Sequence, residues 1–133
     1  MRKWMIGALL AVGMVSSAMA QSQDIETVIG SQIEAFKVDD FEGAFEFAAP
    51  SIRNIFRTPE NFGVMVQRGY PMVWRPAEVT FLDLREVPQG FVQTVQIVDA
   101  EGAVHYLAYA MTETPAGWKI SGVQLLKAPG VNA

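Results

Sequence analysis

Hydrophobic residues between positions 24 and 69 recur at the spacing of helix faces, and from Ala77 onward they change to the alternation of strands. Ile25, Val28, Ile29, Ile33 and Phe36 make one apolar stripe, with Asp24 placed to cap its helix and Asp39-Asp40 interrupting it. Asp40 is the expected cap of a second, short helix whose inner face is Phe41, Ala44, Phe45 and Ala48. Pro50 is expected to end that helix, because a proline pushes the residue before it out of the α region. Ser51 then opens a further turn or two, Ile52 to Phe56. Thr58-Pro59-Glu60 reads as a cap, a proline at the first helical position and an acid in the first turn. The helix they start buries Phe62, Met65 and Val66 and stops at Gly69. Tyr70 to Pro76 is a bridge carrying Trp74 and Arg75.

Four strands are expected at 78–87, 91–99, 103–113 and 118–127, joined by Pro88-Gln89-Gly90, Ala100-Glu101-Gly102 and Pro115-Ala116-Gly117. Each connection is a short loop ending in glycine, the pattern of a type I turn closed by a glycine bulge, so the four strands form an antiparallel meander. Placing every bulge in its turn sets Val87 opposite Phe91, Asp99 opposite Ala103, Thr114 opposite Trp118 and Glu113 opposite Lys119. One face then holds Val79, Phe81, Asp83, Arg85, Phe91 and Gln93, continuing through Val95, Ile97, His105, Leu107, Tyr109, Met111, Val123 and Leu125. The opposite face holds Leu84, Val92, Thr94, Ala108, Ala110, Trp118, Ile120, Gly122 and Gln124, among others. Neither reads as a solvated face. Helices can cover only one, and the larger side chains of the first suit it to lie beneath them. The second, through Ala108, Ala110, Gly122 and Gln124, is expected to meet a second copy across a two-fold axis.

Composition narrows the function classes. The chain has 133 residues, no cysteine and one histidine, so thiolate chemistry, disulfides and Cys- or His-rich metal sites are excluded. Half the residues are hydrophobic, which excludes disorder. Arg2-Lys3, the uncharged apolar run Met5 to Val15 and the small residues of Ser17-Ala18-Met19-Ala20 read as an export leader cleaved between Ala20 and Gln21. The domain plan is a signal peptide at 1–20, one α+β domain at 21–127 and a loose tail at 128–133, with a periplasmic or secreted product and no membrane span in the mature chain. The 14 acidic residues outnumber the 10 basic ones, two of which lie in the leader, so nucleic acid is not an expected partner.

Several residues carry a family resemblance. Ile29-x-x-Gln32-x-x-Ala35-Phe36, Asp39-Asp40-x-x-x-Ala44-Phe45-x-x-Ala48-x-Pro50-x-Ile52 and Phe56-x-Thr58-x-x-x-Phe62-x-x-Met65-Val66 resemble a proteobacterial domain-of-unknown-function family, the one numbered 4864. Tyr70, Arg75-Pro76 and Trp118-Lys119-Ile120-x-Gly122 extend the similarity over about residues 24–127. Helices followed by a curved meander that is apolar on both faces also look like the nuclear-transport-factor-2-like cone of ketosteroid isomerase and polyketide cyclases. The resemblance implies an α+β fold of three or four helices on a four-stranded sheet. It implies no reaction.

Enzymes of that shape keep an acid or base inside the cone. Here the candidates are Asp83 as a proton abstractor, His105 as a general base and Tyr109 beside them. Plainer roles are expected for both: an Asp83–Arg85 salt bridge and a structural His105 near a sheet end. Arg85, Gln93 and Tyr109 fall in one cross-strand row, a candidate clamp for a carbonyl or carboxylate, with Trp74 at the mouth. No dinucleotide, phosphate-loop, nucleophile-elbow or zinc-helix motif occurs, so no cofactor or metal is expected. The leading expectation is a non-catalytic binder of a small apolar or amphipathic ligand, or of an envelope protein. The alternatives are a cofactor-free isomerase, hydratase or cyclase, and a dimeric scaffold with a filled cone.

Overall fold

Ile25, Ile29, Ile33 and Phe36 are each no more than 2% exposed, so the apolar stripe of the first helix is the ceiling of the core. The structure is a computed structural model that describes the backbone of residues 2–129 and 131–132 and the side chains of 19–129. The leader reading of residues 1–20 therefore falls almost wholly outside the described side chains. Helix α1 is Arg2–Lys37, which puts Asp24 inside the helix rather than at its start.

The end of α1 is unusual. Asp39 takes φ 59°, and the amides of Asp39 and Asp40 donate back to Phe36 O (3.0 Å) and Ala35 O (2.8 Å). This pair of bonds closes a helix that normally ends on glycine. Aspartate tolerates the left-handed region better than most residues, at some cost. Asp40 then caps α2 (Phe41–Glu46) by accepting from the Gly43 amide at 3.0 Å, as expected. Pro50 does not end α2. It sits at the first position of α3 (Pro50–Phe56), where its missing N–H costs nothing. The chain between the two helices instead joins the sheet: Ile120 N donates to Phe47 O at 2.9 Å and Ala49 N to Ile120 O at 2.8 Å. Thr58 caps α4 (Pro59–Gly69) through the Asn61 amide at 3.1 Å. The bridge adds a single turn, α5 (Pro71–Trp74).

The chain has an α+β fold, with helices followed by an antiparallel meander: β1 (Pro76–Val87), β2 (Gly90–Asp99), β3 (Val104–Thr114) and β4 (Gly117–Ala128). Part of the segment expected to be a loose tail returns as a two-residue strand, β5 (Val131–Asn132), on β4. The β2–β3 register is as expected, Ile97 facing His105 and Gln93 facing Tyr109. The other two hairpins differ, because their extra residues sit inside strands rather than in turns. In β1, Leu82 and Asp83 together oppose Thr94, so Leu84 faces Gln93 and Arg85 faces Val92. In β4, Ser121 is the extra residue between the pairs Ala110–Gly122 and Met111–Ile120. Thr114 thus faces Gly117, and Glu113 faces Trp118 rather than Lys119, whose Nζ donates to Glu46 O at 2.8 Å.

Each bulge changes the face of the residues beyond it. Trp118 and Ile120 move under the helices, where both are buried, and Leu84 packs against the same core. Asp83 and Arg85 move out. The face beneath the helices is otherwise the one expected, built on Val95, Ile97, Leu107, Tyr109 and Met111.

Candidate functional site

The helices do not fill the sheet completely. A cavity of about 190 Å³ lies between them and the inner face, walled by Phe36, Phe62, Val66 and Ile120 among other apolar side chains. A site of about 150 Å³ accepts a benzene-sized molecule, so this one has room for such a ring and a short substituent. Its polar walls are Gln32 of α1, Tyr70 between α4 and α5, and Tyr109 of β3. No carboxylate, imidazole, ammonium or guanidinium lies among the described lining residues.

Tyr109 is 0% exposed and its hydroxyl has no hydrogen-bond partner among the described residues. Burial pushes its phenol far above the ordinary tyrosine range, and the nearby Tyr70 phenol adds to the shift. It therefore stays a neutral O–H donor. Tyr70 is committed, its hydroxyl donating to Val123 O at 3.2 Å. Gln32, only 4% exposed, donates one amide hydrogen to Ala44 O at 3.1 Å. Gln32 is a polar wall that is not among the residues expected at the site. Its signal was a glutamine seven residues from Ile25 and beside Ile33, on a stripe that is otherwise apolar.

The expected clamp of Arg85, Gln93 and Tyr109 is not assembled. Gln93 and Tyr109 are direct cross-strand partners, but the β1 bulge turns Arg85 to the outer face, where it lines grooves with Val92 and Ala108. Gln93 is occupied elsewhere. Its Nε2 donates to Leu82 O (3.0 Å), Asp83 O (3.2 Å) and Thr94 O (2.9 Å), supplying partners to carbonyls at the bulge. Its Oε1 is buried without a partner among the described residues, so Gln93 and Tyr109 do not satisfy each other.

Asp83 was expected beneath the helices. It is exposed, because it is one of the two bulged residues, and it makes no ion pair with Arg85 among the described residues. His105 lies at the far end of the β2–β3 hairpin, its Nε2 2.8 Å from Asp99 Oδ2. Asp99 also accepts the amides of Glu101 and Ala103 at 2.9 Å. The His105 contact first, then the Ala103 amide, holds the Asp99 carboxyl below its ordinary value. His105 and Asp99 together close a turn away from the cavity. Among the described residues no cluster of three or more His, Cys, Asp or Glu side chains converges, and no helix is long and apolar enough to cross a membrane.

Trp74 does not line the cavity either. Its indole N–H donates to Asp39 Oδ1 at 2.9 Å, and Arg75 Nη2 bonds both Asp39 oxygens at 3.1 and 3.2 Å. Arg75 Nη1 donates to Phe36 O at 2.8 Å, near the carbonyl end of α1 where a cation is favoured, and its guanidinium lies 4.1 Å over the Trp74 ring. This corner explains why an aspartate occupies a glycine-like backbone position: only its carboxylate can hold α5 against the end of α1. The indole hydrogen bond, then Arg75, lowers the Asp39 pKa from its usual 3.8. A lowered carboxylate stabilises the fold above its unfolded value and loses that contribution as pH falls through the folded value. In an acid titration followed by NMR, the Trp74 indole resonance should therefore move with a midpoint below 3.8. A midpoint at or above that value would show the latch to be absent in solution.

Neither the curated proteins nor the solved structures give a match to this chain. One family model does, the domain of unknown function DUF4864, over residues 18–133. The match spans both the helical layer that roofs the cavity and the sheet that floors it, and the chain belongs to that family.

Proposed function

We propose that this chain is an exported, non-catalytic binding module that takes a small, largely apolar ligand between its helices and its sheet. The observation that carries this reading is Tyr109, which lines an apolar cavity and whose hydroxyl is buried without a partner among the described residues. An unsatisfied buried hydroxyl costs roughly 1–3 kcal/mol, and phenylalanine at 109 would avoid that cost in a scaffold with a filled core. The order of helices followed by an antiparallel meander supports a nuclear-transport-factor-2-like cone as the architecture. Residues 1–20 serve as the leader in this reading. A catalytic version would have to use Tyr109 itself, since Asp83 and His105 lie outside the cavity.

The outer sheet face belongs to the same proposal. Val92, Ala108, Ala110 and Gly122 lie there around grooves lined by strand residues alone, with no helix of the described chain over them. A second copy packed through Ala108, Ala110, Gly122 and Gln124 would cover this face.

Native mass spectrometry of the purified protein tests both parts. The expected species is a dimer that carries the added mass of a small molecule. A bare dimer would favour the scaffold, and a bare monomer would remove the sheet-face argument. Ala110→Glu places a charge at the centre of the proposed contact and should weaken the dimer by roughly 3 kcal/mol, on the order of a hundred-fold in Kd by sedimentation equilibrium.

A further inference from the structure

We infer that the ligand of the helix–sheet cavity is a neutral molecule about the size of a substituted benzene, with one hydrogen-bond-accepting oxygen, a carbonyl or an ether, held by the Tyr109 hydroxyl. The inference rests on the binding-module reading and gives it a ligand class.

The walls decide the charge. Tyr70 and Tyr109 are the only titratable side chains among the described lining residues, and Tyr109 remains neutral. A carboxylate or ammonium brought into such a cavity would lose its hydration and find no counter-ion among the described lining residues. Acids and amines are therefore rejected.

The donor inventory decides the polar group. Tyr70 spends its only hydroxyl hydrogen on Val123 O, so it offers a ligand an acceptor alone. Gln32 spends one of two amide hydrogens on Ala44 O. Tyr109 spends none. The strongest uncommitted group in the walls is thus an O–H donor, and its best complement is an acceptor oxygen. A pure hydrocarbon of the same shape would leave that donor unpaired. The donor is also held in place: Tyr109 is fully buried on the strand paired with β2, opposite Gln93, whose amide is bonded to carbonyls at the bulge. A preorganised donor costs little to align on binding.

Volume sets the size. About 190 Å³ is too little to enclose a steroid or a whole fatty acid and enough for a monocyclic ring with a small substituent.

Acetophenone, α-methylstyrene and benzoate share one shape and differ in the group presented: a carbonyl, a methylene and an anion. Isothermal titration of the purified protein should find acetophenone bound roughly ten-fold more tightly than α-methylstyrene, with benzoate not bound. Tyr109→Phe should remove the preference for the ketone and leave the hydrocarbon bound at least as well as before. If α-methylstyrene matches acetophenone on the unchanged protein, a water already satisfies Tyr109; the inference then falls while the binding module stands. If benzoate binds best, the neutral-ligand argument falls. If none of the three binds, the cavity is not a site and both readings fall together. The comparison on the unchanged protein decides even if Tyr109→Phe does not fold.

Discussion

Gly90→Ala should cost the fold roughly 4 kcal/mol or more, a large share of the stability of a domain this size. Gly90 opens β2 at φ 149°, a backbone conformation that residues with a Cβ rarely adopt. A Cβ there would also collide with the carbonyl oxygen of Met111 on β3, a backbone atom that cannot rotate away. Relief would require moving β2 off β3, and β2 is an interior strand of the sheet. Gly102 is the control. It too has positive φ, 87°, but nothing lies within 4 Å of a Cβ built on it, so Gly102→Ala should cost only the backbone term, about 1 kcal/mol. Urea denaturation of the two variants checks the pair. Similar losses would mean that β2 and β3 do not approach at Gly90 as described.

Phe36→Ala should cost about 3–5 kcal/mol, the usual range for deleting a buried ring. Phe36 is 1% exposed, with ring centroids 6.3 Å from Phe41 and 5.8 Å from Phe62. It joins the end of α1 to α2 and α4, and it is a wall of the cavity. The variant should therefore lose stability and gain room together, accepting bulkier ketones than acetophenone while its denaturation midpoint falls. An unchanged midpoint would place Phe36 outside the core.

Much of this architecture was legible in the chain because local chemistry determined it. The Ile25–Phe36 stripe, the Asp40 cap and Thr58-Pro59 each act over a few residues, and each sits where its residues predict. The β2–β3 register was legible because both strands run regularly from their turn. The outer hairpins were not, because a glycine bulge in a turn and an extra residue in a strand leave the same odd count. Nothing local distinguishes Gly90 from Leu82-Asp83, or Gly117 from Ser121, as the place of that residue. That ambiguity moved Arg85 out of the candidate site and Trp118 and Ile120 into the core. Tyr109 and Gln93 kept their places, since β2 and β3 carry them. The roles of Trp74 and Arg75 depend on Asp39, 35 and 36 residues away, and such a partnership becomes visible only when α1 and α5 meet.

The short parallel pairing of Ala48 with Ile120 limits how this chain can change length. The chain between α2 and α3 exchanges two main-chain hydrogen bonds with β4 immediately before Ser121. A residue inserted or deleted on either side would slide amides out of step with carbonyls on the other and disturb helix and sheet together. Surface turns such as Ala100-Glu101-Gly102 can absorb insertions at little cost. The segment 47–50 cannot, although it has the sequence of an ordinary linker, and in members of this family its length should stay matched to the bulge of the fourth strand.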